Sequence, residues 1–187
     1  MQQAQENWSR ILQTGDHAID ATCGNGKDTL ALAQILFSRG ETSCILGIDI
    51  QAEALQRTEK LLSSHLTPEQ LKRIFLFEQS HATFPPQAYQ LPIRLIIYNL
   101  GYLPRGNKAL TTCAESTLQS IQAALPLLLS GGALSLVFYP GHPEGLREQA
   151  ILTPFIEGLD PRHWQRSWYA PSPHAHAPVH LFLEKWC

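Results

Sequence analysis

Short apolar segments alternate along this chain with longer ones whose apolar residues recur every three to four positions, and that alternation leaves few folds open. Residues 17–22, 43–50, 73–78 and 94–99 read as buried strands. The last of them, Arg-Leu-Ile-Ile-Tyr-Asn, is almost continuously apolar, as a central parallel strand covered on both faces must be. Residues 5–12, 27–38, 52–64, 111–129 and 143–156 read as helices: Leu30, Ala33, Ile35 and Phe37 mark one apolar side, and Ala54, Leu55, Thr58, Leu61 and Leu62 another. Pro126 predicts a kink or break near the end of the 111–129 helix. Gly131-Gly132 reads as a turn into a strand at 133–139, and 164–170 and 179–186 as two late strands with no helix between them. The expected architecture is α/β: a doubly wound, mostly parallel seven-stranded sheet with an antiparallel C-terminal edge hairpin, in one domain over 1–187. Ligands bind such sheets beyond the carboxyl ends of the strands.

Composition narrows the class of function. At 187 residues, with 44% hydrophobic and 16% charged, the chain has enough apolar surface for a core, yet its apolar runs are broken well short of the roughly 20 residues of a membrane span. A net charge of -2 argues against nucleic-acid binding spread over the whole surface and leaves room for a local basic patch. Cys23, Cys44, Cys113 and Cys187 show no paired spacing, so neither a disulfide framework nor a cysteine zinc site is expected. The polar first ten residues lack the pattern of a secretory signal, which points to the cytoplasm.

The segment Asp20-Ala-Thr-Cys-Gly24-Asn25-Gly26-Lys27-Asp28-Thr29 falls between the first strand and its helix. Two glycines there allow a tight turn close to a ligand, and the helix that follows offers free N–H groups. A dinucleotide fingerprint would need glycine where Thr29 stands, and a P-loop would need Ser or Thr where Asp28 stands. Asp49 ends the second strand in Gly47-Ile-Asp-Ile50, where a carboxylate can accept both hydroxyls of a ribose, and Asp20 adds a second acid at the end of the first. Two acids around a glycine loop suit a positively charged adenosine ligand better than a pyrophosphate. Alternatively, the glycines only turn the chain and the acids only cap neighbouring groups.

On these residues the chain resembles the class I S-adenosylmethionine-dependent methyltransferases, which have a Rossmann-like fold. The resemblance implies that Gly24, Asn25, Gly26, Asp28 and Thr29 form the loop facing the methionine part of S-adenosyl-L-methionine. It further implies that Asp20, Asn99 and Asp49 with Ile50 hold the donor, Asp49 at the ribose, and that Ser80 and His81 lie near the adenine. Tyr98-Asn99-Leu100-Gly101-Tyr102-Leu103-Pro104 resembles the Asn/Asp-Pro-Pro-Tyr/Phe motif that amine-methylating members carry at the end of the fourth strand. An amine attacks only when its lone pair is free and in line, so such a site needs acceptors for the N–H bonds and a ring to stack on. Asn99 can supply a side-chain acceptor, the Leu100 carbonyl another, and Tyr102 the ring. The plainer reading is that Asn99 and Gly101 form the turn that ends a strand.

A narrower resemblance covers almost the whole chain. The loop at 20–29, Gly47-Ile-Asp-Ile-Gln, Ser80-His81, Asn99-Leu-Gly-Tyr-Leu-Pro, Tyr139-Pro-Gly-His-Pro-Glu-Gly and Glu184-Lys185 look like those of the small bacterial rRNA-methylase family of the MnmM/YtqB type. That resemblance implies methyl transfer to the exocyclic amine of 5-aminomethyl-2-thiouridine at the tRNA wobble position, with the anticodon region of tRNA as partner. The chain departs from the pattern at Arg105-Gly-Asn-Lys108 and in the histidines of 171–179.

An aminomethyl group is largely protonated at neutral pH, which makes His142 a candidate catalytic base beside Asn99 and Tyr102; it could equally cap the next helix. Tyr139 shares that position, with a buried aromatic as the alternative. His174, His176 and His180 invite a metal reading, but no acid or cysteine completes a ligand set, so no metal is expected. Trp164, Trp168, Tyr169 and Trp186 read as core or subunit interface. Arg94, Arg105, Lys108, Arg162 and Arg166 are candidate phosphate contacts. A homodimer would let one tRNA draw on basic residues of both subunits. The competing functions are a small-molecule N- or O-methyltransferase, a methyltransferase acting on rRNA, and a non-catalytic adenosyl- or RNA-binding module.

Overall fold

The computed structural model describes residues 2–101, 113–170 and 177–186. Its elements run α1 (Gln2–Ile11), β1 (His17–Asp20), α2 (Lys27–Phe37), β2 (Ile45–Asp49), α3 (Ala52–Ser63), α4 (Pro68–Leu71), β3 (Ile74–Glu78), β4 (Ile93–Asn99), α5 (Ala114–Ala124), β5 (Leu128–Phe138), α6 (Pro143–Glu157), β6 (Trp164–Tyr169) and β7 (Val179–Lys185). The seven strands form one sheet in the order β3-β2-β1-β4-β5-β7-β6. The first five strands pair in parallel, and β7 pairs antiparallel with both β5 and β6. This is the expected architecture. No helix among the described residues is long and apolar enough to cross a membrane.

β4 is buried on both faces. Ile93, Ile96 and Tyr98 pack with Ile121, Ala124, Leu152 and Ile156 of α5 and α6, whereas Leu95 and Ile97 pack with Ala4, Trp8 and Leu32 of α1 and α2. A strand with helices over both faces has no side to spare for polar residues, which is why its sequence loses the alternation of a half-exposed strand.

Three details differ from the sequence pattern. The 111–129 segment is not one long helix: α5 ends at Ala124, Pro126 lies in a 3-10 turn over Leu125–Leu127, and Leu128 already pairs with Ile93 of β4. Gly131 and Gly132 therefore sit inside β5, where the register slips between Ile93 and Leu95. Gly131 has φ 72°, and a Cβ on Gly132 would stand 2.9 Å from the Arg94 carbonyl oxygen, so the pair makes a bulge that only glycine fits. The α/β alternation also lapses between β3 and β4, where the only helical turn is a 3-10 turn at Pro86–Tyr89. The short helix α4, absent from the sequence reading, starts at Thr67-Pro68-x-Gln70, a reciprocal capping box with proline in the first turn.

Of the cysteines, Cys23 is buried and Cys113 exposed, both with free thiols. On the α1 side, Trp8 Nε1 donates to Ser135 Oγ at 2.9 Å, and Ser135 Oγ lies 2.9 Å from His180 Nε2. All three residues are buried. Because the serine oxygen accepts from the indole, its own hydroxyl proton is available to the imidazole, whose pKa burial lowers to about 4. His180 is thus a neutral member of the core, stacked on Tyr169. Ser135→Ala is expected to strand the Trp8 and His180 nitrogens in apolar surroundings and to cost about 1–3 kcal/mol. Urea unfolding checks this, and an unchanged midpoint would show that the serine carries no such bond.

Candidate active site

β1 and β4 are neighbours, and the chain leaves β1 towards β2 on one side but reaches β4 from the far edge of the sheet. A crevice opens at the carboxyl ends of strands placed this way. Asp20 and Asn99 end these two strands, and Asp49 ends β2.

The glycine loop is held by these acids. Asp20 Oδ1 accepts from the Thr22 N–H at 3.1 Å in an Asx turn, and Asp20 Oδ2 accepts from Thr29 Oγ1 at 2.6 Å. Asp49 Oδ2 accepts from the Gly24 N–H at 2.9 Å, and Asp49 Oδ1 from the Gln51 N–H at 2.9 Å. Asn25 is tied to α3 through Arg57, whose Nη1 donates to Asn25 Oδ1 at 3.2 Å. Both glycines are left-handed, Gly24 at φ 55° and Gly26 at φ 77°. A Cβ on Gly26 would stand 2.8 Å from Thr58 Cα, so what forces glycine there is close packing of the loop on α3 rather than approach to a ligand.

Asn99 joins the loop to the end of β4. Its N–H donates to Thr22 Oγ1 at 2.8 Å, and its Nδ2 donates to Asp28 Oδ2 at 3.0 Å. Thr22 was not singled out by sequence reasoning, though the Asp20-x-Thr22 spacing is the signature of the Asx turn that places it. Leu100 turns its side chain into the core, and Gly101 takes φ 144°. Tyr102, Arg105, Lys108, His174 and His176 lie outside the described residues.

Three carboxylates therefore converge. Burial raises the pKa of Asp20 to about 7, with the Asp28 charge adding to it and the bonds from Thr29 and Thr22 opposing it. Burial also raises Asp28, against the bond from Asn99. Asp28 Oδ1 is buried with no hydrogen-bond partner among the described residues. No ion pair to Asp20, Asp28 or Asp49 is present among the described residues. Directly after Asp49, the Ile50 side chain is exposed to 58%. Convergent negative charge, a partnerless buried oxygen and a bare apolar surface fit a ligand that combines positive charge, hydroxyls and a flat ring. S-Adenosylmethionine is such a ligand.

Past β3, Ser80 Oγ accepts from the Ala82 N–H at 3.2 Å. His81 stands edge-on to Tyr98, and its Nε2 lies 3.4 Å from Thr117 Oγ1. The Thr117 hydroxyl donates to the buried Glu148 at 2.8 Å. Burial lowers the His81 pKa to about 4, so the ring is neutral at physiological pH.

His142 precedes α6, and its Nδ1 accepts from the Gly145 N–H at 3.1 Å as the cap of that helix. The Nδ1 lone pair is therefore committed to the cap of α6. Tyr139 borders the same acids: burial raises its pKa first, the Asp28 charge adds to it, and a hydrogen bond with the Asn99 side chain opposes both. Three of the candidate phosphate contacts are occupied elsewhere. Arg94 pairs with Asp16 at 3.1 Å, Arg162 with Asp160 at 2.7 Å, and Arg166 donates from Nε to the Ile156 carbonyl at 2.8 Å. Arg94 and Arg162 also lie towards the opposite end of the sheet, beside the first residues of β4 and β6. Lys27, at the start of α2 beside the loop, is exposed.

Residues 45–185 match the family model described as "Putative rRNA methylase". The chain is 36% identical over 184 residues to the tRNA (mnm5s2U34)-methyltransferase, chloroplastic, of Arabidopsis thaliana. That alignment covers 95% of this chain and 66% of the plant protein, so the chain spans just under two thirds of that relative's length. An rRNA-methylase structure from Clostridium thermocellum superposes with a TM-score of 0.87 at 30% identity, covering 98% of this chain and 96% of the other. A Streptococcus mutans methyltransferase in complex with SAH superposes with a TM-score of 0.82 at 29% identity, with the same coverages.

An acid whose folded pKa is raised contributes most favourably below its unfolded value, here about 3.8, and that contribution is lost as pH rises through about 7. The stability of the unliganded protein relative to Asp20→Asn is therefore expected to fall across that window, by up to about 1.4 kcal/mol per pH unit. Urea midpoints of the two proteins at about pH 5 and pH 8 test this. A difference that does not change, or that grows in favour of the wild type at the higher pH, would contradict the buried-acid account.

Proposed function

The chain belongs to the rRNA methylase family, and from that premise we propose that it is an S-adenosylmethionine-dependent methyltransferase whose acceptor is the exocyclic amine of 5-aminomethyl-2-thiouridine at the tRNA wobble position. The observation that carries the reading is Asn99, a side chain with an acceptor oxygen held at the end of β4 directly beside the acid-lined loop. The chloroplastic relative's name supports the same acceptor. Asp20 and Asp28 would face the positive end of the donor, Asp49 the ribose hydroxyls, Ile50 the flat base, and Ser80 and His81 its far edge.

When bound, S-adenosylmethionine supplies a methyl group on a sulfonium; as the amine nitrogen takes it, the S–C bond breaks, a neutral thioether remains and one proton leaves the nitrogen. This chain's residues orient the acceptor for that event. Asn99 Oδ1 and the Leu100 carbonyl accept from the amine N–H groups, which leaves the lone pair directed at the methyl. Tyr102 supplies the ring for the thiouracil base. His142 acts through its Nε2 proton as a donor lining the turn at Gly101, since its other nitrogen caps α6.

The surface fits a small RNA footprint. With Arg94 and Arg166 engaged within the fold and Arg162 in a surface pair at the opposite end of the sheet, phosphate contacts fall to Lys27, Arg105, Lys108 and a second copy of the chain in a homodimer. The site of action is the cytoplasm. The family's description makes rRNA the alternative acceptor.

The test is to incubate the protein with S-adenosylmethionine and tRNA carrying the unmethylated aminomethyl-thiouridine, then weigh the digested nucleosides. The expected result is one methyl gained on that nucleoside alone, with none on rRNA or small amines. A methyl on rRNA, or none on the thiouridine while the donor still binds, would overturn the assignment. Asn99→Ala is expected to lower kcat by about 100-fold, within the range attributed to acceptor positioning.

A further inference from the structure

We propose that Asp28 is a positioning residue that fixes which end of the Asn99 amide faces the acceptor, and so makes the site select nitrogen nucleophiles over oxygen ones. The proposal rests on the methyltransferase reading for its consequence, but not for its geometry.

An asparagine side chain has a donor end and an acceptor end of nearly the same shape, and its backbone does not decide which end points where. Here the Asn99 backbone is pinned by Thr22 Oγ1, and the Leu100 N–H bonds the Val137 carbonyl at 2.9 Å, which leaves the turn of the amide. Tyr139 also hydrogen-bonds that amide, but a hydroxyl can pair with either end of it, whereas Asp28 can pair with only one. A carboxylate accepts and cannot donate, so the 3.0 Å contact with Asp28 Oδ2 requires the nitrogen of Asn99 on that side and turns Oδ1 away from it. Asp28 lies in the first turn of α2, where the helix N-terminus, the bond from Asn99 and the Lys27 charge favour the ionised form against burial, which raises its pKa. It is 8% exposed, and its position follows from the helix rather than from a flexible tether.

Among the described residues, the charged and titratable groups around the pair include Asp20 at the end of β1, Asp49 at the end of β2, Lys27 on α2 and Tyr139 after β5. An acceptor oxygen held in this way favours a nucleophile that still carries a proton when its lone pair is aligned. A primary amine has two such protons; an alkoxide or a carboxylate has none and would meet Asn99 Oδ1 with like charge.

Asp28 Oδ1, buried and without a hydrogen-bond partner among the described residues, also makes the pair exchangeable. With Asn at 28 and Asp at 99, the amide of residue 28 donates to one oxygen of residue 99 and leaves the other oxygen facing the amine. Asn99→Asp alone places two carboxylates in contact, and Asp28→Asn alone lets either amide end face the site.

The experiment compares Asp28→Asn, Asn99→Asp, the double variant and Asp28→Ala, measuring kcat and KM for tRNA, SAH affinity by calorimetry and thermal unfolding. Each single exchange is expected to lower kcat at donor saturation at least 10-fold, and the double variant to regain most of the loss. In 15N-labelled protein, the Asn99 side-chain amide is expected to show a hydrogen-bonded proton shift that disappears in Asp28→Ala. A double variant no better than Asn99→Asp, kcat losses that merely follow unfolding temperature, or an amide resonance unmoved by Asp28→Ala would overturn the proposal. If the wild type transfers no methyl to tRNA, the acceptor assignment fails and the amide resonance still decides the geometry.

Discussion

Three carboxylates brought to one end of a sheet, two of them buried and none ion-paired among the described residues, are the constraint on which the other features depend. Like charges in a poorly hydrated place repel, and burial already holds Asp20 protonated up to about pH 7. An arrangement that costs stability in the empty protein persists when the missing positive charge arrives with a ligand. The hydrogen bonds from Thr22, Thr29, Gly24 and Gln51 keep the acids in place without neutralising them.

The sheet order supplies the meeting point. Because β1 lies between β2 and β4, the acids that end β1 and β2 stand next to the asparagine that ends β4. Residues 20, 49 and 99 are far apart in sequence, and parallel pairing alone brings them together. Thr22 and Asp28 then join the donor side to the acceptor side through one residue, Asn99, whose backbone belongs to one bond and whose amide belongs to the other. A change at Thr22 or Asp28 therefore reaches Asn99 directly.

Much of this was legible in the chain itself. All seven strands were, because strands covered by helices leave unbroken apolar runs and the final pair leaves a proline loop. Boundaries failed where glycine serves two ends: Gly131-Gly132 looks like a turn, and only pairing with β4 makes it a bulge. The acids and glycines of the site were legible by their places at strand ends, but the reason for Gly26 was not, since Thr58 reaches it only through folding. The arginines were misleading for a similar cause. Arg94 and Arg166 resemble free cations in sequence, and their partners lie 78 and 10 residues away. For His142 the sequence offered a base or a cap, and the contact to Gly145 is a cap. Asp28 read as a cofactor-loop residue; its bond to Asn99 spans 71 residues and has no local signal.

The most direct test of the acid cluster is calorimetric titration of the unliganded protein with S-adenosylmethionine at about pH 6 and about pH 8, in buffers of different ionisation enthalpy. The account predicts that binding near pH 6 releases a proton to the buffer, because a positive ligand draws Asp20 into its ionised form, that affinity rises with pH until about 7, and that both effects vanish in Asp20→Asn. Binding that exchanges no proton and has the same affinity at both pH values would contradict it.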